Sequence, residues 1–237
     1  MRSGEFPVIR ELAFDQVSYR FSGAAEPIFE NISFTMPKAK AVWVRSPGGR
    51  GKSTLLRLLA GLFSPTSGRY LINGESVTDM SFEEFLPYRL SMGYSFDFGG
   101  LLSNKTLAEN LMLPLQYHNL LSPDEAGERV QQMIETFALH QGRDMRPSAV
   151  PGSARKLTCV LRSLVTCPQV VFMDDPLTGL KQDNINDLVH YVEESFSLRG
   201  LRQIYFTSES GVLAQHFPSE ELMISADWFT SREVQVA

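Results

Sequence analysis

The stretch AVWVRSPGGRGKSTLLRLLAGLF, residues 41–63, constrains the fold more than any other part of the chain. It opens with a compact apolar run of strand type and passes through a loop containing Gly48, Gly49, Arg50 and Gly51. It then enters a segment with leucines all round except at Arg57, which predicts a buried helix over Thr54–Phe63, ended by Gly61 and SPTSG. Strand, glycine-rich loop and buried helix, in that order, are the setting of a phosphate-binding loop. The glycines let the backbone curl until successive N–H groups point inward at phosphate oxygens. Lys52 supplies a charge for the β- and γ-phosphates and Ser53 a hydroxyl for Mg²⁺, while the helix adds its positive N-terminal end. Ser46 stands where such a loop normally has its first glycine, a change expected to cost freedom at the turn without removing a donor. Taken alone, the same letters also suit an ordinary glycine turn before a helix.

A second stretch decides between these readings. In VVFMDD, residues 170–175, four apolar residues lead into Asp174. A buried strand delivers a carboxylate to the shell of a metal ion in this way, at its C-terminal edge. Without a glycine loop, a plain strand ending in an acidic turn would explain it equally well. Together, the two stretches specify a nucleotide site.

The remaining pattern is that of an α/β chain. ELAFDQVSYRF, PIFENISFTM, YLING and MGYSF read as short strands. From about Leu101 to Ser148 the character is helical. Ser122 is an N-cap with Pro123 at the first helical position and Glu125 completing a capping box. Ala126, Val130, Ile134 and Phe137 then share one face. After VVFMDD, a helix presents Ile185, Leu188, Val189, Val192 and Phe196, and RQIYFT (Arg202–Thr207) is a further strand. The expected architecture is a P-loop NTPase core with a mainly parallel sheet, an N-terminal antiparallel β part and an inserted α-helical subdomain. One domain is expected, with its core at about 1–98 and 155–237 and the helical subdomain at about 99–154.

Composition narrows the partners. The 237 residues carry 22 basic and 27 acidic side chains, a net charge of −5 that disfavours a nucleic-acid binder. The two cysteines, Cys159 and Cys167, lie in apolar sequence, which fits a reducing compartment without a disulfide framework or zinc site. MRSGEFPVIR, at the N-terminus, has no apolar h-region. No run approaches the roughly 18 to 20 apolar residues of a membrane span.

With these motifs in place, the chain resembles the ATP-binding subunits of ABC transporters along nearly its whole length. SPGGRGKST matches the Walker A loop, VVFMDD the Walker B strand and PLTGLK the D-loop. Phe21, in VSYRFSG, falls where the family places an aromatic against adenine. MGYSFDFGGLL matches the Q-loop region, and RPSAVPGSARKLTCVLRSL the stretch around the signature motif. The resemblance implies ATP and Mg²⁺ as cofactors. It implies a head-to-tail dimer, homo- or heteromeric, in which each nucleotide lies between one Walker A loop and the opposite signature. It also implies a membrane permease partner, hence a cytoplasmic subunit at the inner face of the cell membrane. GLLSNKTLAENLMLPL (Gly100–Leu115) resembles the same region of Mla-type lipid-trafficking subunits, which work with a permease and a lipid carrier protein. Lipoprotein-release and cell-division relatives share a similar run.

Several positions depart from the family pattern. The glutamate that follows the Walker B aspartate is Asp175. The Q-loop glutamine, which implies a metal contact beside Ser53 and Asp174, is Asp97. The switch histidine is Ser208, and none of the four histidines (118, 140, 190 and 216) takes its place. The signature Leu-Ser-Gly-Gly-Gln reads Val150, Pro151, Gly152, Ser153 and Ala154, and Lys181 replaces the D-loop aspartate. Losing a positioned acid or base costs about 10²- to 10⁴-fold in rate, and losing one preorganised donor about 10²- to 10³-fold. The expectation is an ATP-binding subunit with slow or absent hydrolysis. The alternative is a module without turnover that regulates or assembles a permease complex.

Overall fold

A computed structural model describes residues 6–97 and 99–234. Residues 1–5 of the stretch searched for a leader, and position 98 at the expected core boundary, lie outside the described residues. The strands are β1 (Leu12–Tyr19), β2 (Phe29–Thr35), β3 (Ala41–Arg45), β4 (Ser67–Ile72), β5 (Glu75–Ser76), β6 (Met92–Ser95), β7 (Val170–Met173), β8 (Gln203–Thr207), β9 (Ser219–Ile224) and β10 (Phe229–Glu233). The helices are α1 (Lys52–Leu59), α2 (Phe82–Leu90), α3 (Leu107–Tyr117), α4 (Pro123–Thr136), α5 (Gly152–Leu164), α6 (Gln182–Leu198) and α7 (Val212–His216).

Two sheets form. β2-β1-β4-β5 is wholly antiparallel, and β10-β9-β3-β8-β7-β6 is parallel except for its β10–β9 edge. The central strand β7 explains its own composition. Val170 and Phe172 point to a core shared with the antiparallel sheet, while Val171 and Met173 point to a core under the other helices. All four are fully buried, so no polar alternation is possible, as expected of a parallel strand covered on both faces.

The leucines of α1 have the same cause. Leu55, Leu56, Leu58 and Leu59 are buried between the antiparallel sheet and the parallel sheet, leaving Arg57 as the half-buried exception. The helix starts two residues before the expected Thr54 and ends at Leu59, with Gly61 at φ 65° just beyond it. A Cβ on Gly61 would lie 2.4 Å from the Phe85 ring, so the turn needs glycine for space as well as conformation.

The predicted capping box of α4 is present, with Ser122 and Glu125 bonded reciprocally. Two further boxes, Ser81/Glu84 on α2 and Thr106/Glu109 on α3, open helices that carry an internal proline. The segment between β6 and α5 is helical, as the sequence indicates. The C-terminal elements α7, β9 and β10 were not anticipated; β9 and β10 extend the six-stranded sheet beyond β3.

Candidate functional site

The sheet order brings the site together. β3, β8, β7 and β6 are neighbours, so the loops leaving their C-terminal ends, at 46–51, 208, 174–175 and 97, share one edge.

The loop after β3 is held by its glycines. Gly48, Gly49 and Gly51 have φ of 72°, 74° and 89°, a region that other residues enter at a cost. A Cβ on Gly48 or Gly49 would meet nothing within 4 Å, so conformation alone selects glycine there. At Gly51, a Cβ would come within 3.1 Å of the Phe29 ring and 3.3 Å of Ile28 Cγ2. Ser46 differs from what its position suggests. Its backbone is extended, at φ −147° and ψ 135°, so the substitution removes no conformation that the turn requires. Its carbonyl accepts from Gly49 N at 3.0 Å, which closes the turn. Lys52, Ser53 and Thr54 form the first turn of α1, where backbone N–H groups have no intrahelical acceptor. Arg50 pairs with Glu26 at 3.4 Å, linking the loop to the segment that follows Phe21.

Phe21 is 40% exposed. It meets Tyr19 and Phe63 edge-on at 5.2 and 6.0 Å, and those two rings stack on each other. The Arg57 guanidinium lies over Phe63. Tyr94, on β6, has a buried hydroxyl, and burial pushes its pKa up to about 12.

At the end of β7, Asp174 is 5% exposed and its Oδ1 accepts from Thr207 Oγ1 at 2.8 Å. The same hydroxyl accepts from Asp175 N at 2.8 Å. Thr207, absent from the sequence-derived set, therefore fixes both acidic positions from the end of β8. Its only sequence signal was its place, immediately before Ser208. Asp175 adopts φ 45°, and its Oδ1 is buried with no hydrogen-bond partner among the described residues. A buried, unsatisfied carboxylate oxygen is costly unless a cation or ordered water meets it.

Ser208 does not reach out. It is 8% exposed, its Oγ accepts from Ser210 N at 3.2 Å, and its carbonyl accepts from Trp43 Nε1 at 3.0 Å. Trp43 in turn lies parallel to Phe206 and fills the space where Gly211 would carry a Cβ.

Pro151 is the N-cap of α5 and offers no side-chain cap to the helix that begins at Gly152, Ser153 and Ala154. Arg155 donates to the carbonyls of Pro147 and Val150 at 3.2 and 2.9 Å. Asp97 is already engaged, since its Oδ1 lies 3.2 Å from Lys156 Nζ. A crevice of about 350 Å³ joins Asp97, Gly152 and Lys156 to Thr178 and Gly179 of the D-loop segment. Lys181 holds the N-cap position of α6 without a side-chain cap bond.

A glycine loop and an acidic strand end at one edge of a parallel sheet, with an antiparallel sheet packed over the loop helix, define an ATP-binding cassette. Residues 29–178 match the ABC transporter family. The chain belongs to that family, as an ABC transporter ATP-binding domain. It is 30% identical over 203 residues to the lipoprotein-releasing system ATP-binding protein LolD of Buchnera aphidicola, covering 85% of each chain. It is 28% identical over 187 residues to the intermembrane phospholipid transport system ATP-binding protein MlaF of Escherichia coli K12, covering 79% of this chain and 70% of that one. The ABC transporter ATP-binding protein YtrE of Bacillus subtilis is 27% identical over 78% of this chain and 80% of its own. In fold, the dimeric ABC cassette MJ0796 superposes with a TM-score of 0.82 at 18% identity, over 94% of this chain and 99% of that one. Among the described residues, no helix is long and apolar enough to cross a membrane.

Proposed function

We propose that this chain binds ATP with Mg²⁺ as the nucleotide-binding subunit of a membrane ABC transporter for envelope lipid traffic, and turns it over slowly. The observation that carries the reading is the loop with Gly48, Gly49 and Gly51 at positive φ, at the same sheet edge as Asp174, whose carboxylate accepts from Thr207. Lys52 and the free N–H groups of the loop and of α1 would hold the phosphates, and Phe21 would meet the base. The donor set suits a magnesium ion. Ser53 and Asp174 offer hard oxygen ligands, and Asp175 keeps a buried oxygen unsatisfied at the same edge. When bound, the ion would polarise the phosphoryl oxygens.

Slow turnover is supported by what surrounds those groups. The Ser208 hydroxyl is used within its own turn, Asp175 has a shorter reach than glutamate, and Pro151 and Ala154 give the start of α5 no side-chain donor, leaving the Ser153 hydroxyl and backbone N–H groups. Lipid cargo is supported by the likeness to MlaF and LolD. The partners on this reading are a permease, a second ATP-binding subunit of the same or another chain, and a lipid carrier protein. The chain would sit at the cytoplasmic face of the cell membrane, with residues 99–154 as a helical subdomain on a core of 1–98 and 155–237. A module that clamps ATP without turnover is the second reading, favoured by the fixed Ser208. Measuring ATP binding and phosphate release on the purified complex tests both. Binding with a release rate far below that of an ordinary transporter is expected, ordinary turnover would overturn the impaired-site reading, and no ATP binding would overturn the whole.

A further inference from the structure

Position 97 departs from the family pattern, and one other side chain answers it. Lys156, in the second turn of α5, places Nζ 2.8 Å from the Asp97 carbonyl, 3.2 Å from Asp97 Oδ1 and 3.4 Å from the Asp174 carbonyl. An ammonium has three donors, and these three oxygens match them in number. The lysine side chain is 10% exposed and the aspartate 33%. A lysine this deeply placed needs a countercharge, and Asp97 is the carboxylate that supplies it.

We propose that Lys156 is a positioning residue. It ties the loop after β6 to α5 and to the end of β7, and so withholds Asp97 from the metal of a bound nucleotide. This rests on reading the edge as a nucleotide site. Two physical effects act in the same direction. The Asp97 carboxylate spends its charge on the ammonium. The ammonium also brings a positive charge to the backbone of Asp174, the residue whose carboxylate would serve the metal on that reading. A divalent cation arriving there would meet repulsion and one ligand fewer. The other cations of α5 are occupied elsewhere. Arg155 is bonded to Pro147 and Val150, and Arg162 to Gly100 and Asn110. Lys156 therefore does not belong to a general basic cluster.

The test is a pair of double-mutant cycles on the full chain, with Lys156→Gln, Asp97→Asn and the combination. In the first, a fluorescent ATP analogue is titrated at a series of Mg²⁺ concentrations. Lys156→Gln is expected to lower the half-saturating Mg²⁺ by about threefold to tenfold, the scale of one partly exposed charge interaction. Asp97→Asn should reverse that gain in the Lys156→Gln background, and should weaken the Mg²⁺ response much less in the natural chain. Equal effects of Asp97→Asn in both backgrounds would mean that Asp97 already serves the metal, and would overturn the proposal. So would an unchanged Mg²⁺ response in Lys156→Gln. The second cycle is thermal melting without nucleotide or Mg²⁺, where the two substitutions should be non-additive. Additive melting shifts would overturn the tether itself. A natural chain that binds no ATP analogue at any Mg²⁺ concentration would instead overturn the nucleotide reading and the metal part of the proposal with it, leaving the melting cycle to decide the tether.

Discussion

Two regions at one sheet edge have been treated differently. The loop at 46–54 is complete in every feature that backbone geometry demands, while the loops after β6, β7 and β8 carry Asp97, Asp175 and Ser208, each bonded, bent or pinned in its own way. Phosphate binding draws mostly on backbone N–H groups and one lysine, supplied by a single continuous stretch. Hydrolysis draws on side chains from several strands, each of which must reach a common point. The first region tolerates an odd residue such as Ser46, whereas in the second a change of one methylene alters reach.

That contrast can be broken at several points. The largest effect is expected at Lys52. Lys52→Ala removes a charge-assisted contact worth about 1.5–3 kcal/mol, so ATP affinity should fall roughly 10- to 100-fold. A fluorescence titration showing unchanged affinity would remove the loop from the site. Next is Thr207→Val, which strips the Asp174 carboxylate and the Asp175 N–H of their shared partner. Leaving such groups unmet costs about 1–3 kcal/mol, a drop in melting temperature of about 2–4 °C for each kcal/mol. A melt identical to the natural chain would show that the acidic end of β7 is fixed by other means.

Asp175→Glu is expected to raise phosphate release about tenfold, below the 10²- to 10⁴-fold of a fully positioned base, because the other altered positions persist. Ser208→His alone should gain less, since Trp43 holds that backbone. If the order were reversed in a steady-state assay, the pinned turn would not be the tighter brake. Ser46→Gly should change least, with ATP affinity within about twofold, because φ there is already extended. A clear gain in affinity would mean that the serine restrains the loop after all.

Much of this was legible in the letters. The order strand, glycine loop, buried helix, and the apolar run into Asp174, both emerged as local patterns because each is a short-range consequence of φ freedom or two-faced burial. The capping box at Ser122 was equally local. The cost assigned to Ser46 was not borne out, since glycine at a motif position says nothing of the φ a particular loop adopts. Thr207, Trp43 and Lys156 escaped notice because their partners lie far away in sequence. Lys156 reaches Asp97 across 59 positions and Trp43 reaches Ser208 across 165.

By itself, then, the sequence determined the class of fold and the order of strand, glycine loop and buried helix, since periodicity, glycine placement and residue identity are properties of neighbours. Only the tertiary structure decided how the side chains at the sheet edge are held. Whether Asp97 is free or held by Lys156, whether Ser208 can extend, and which hydroxyl orients Asp174 depend on strand order and on the helix that crosses the sheet. Hydrogen bonds act over about 3 Å, and that distance between residues remote in the chain exists only once the sheet has closed.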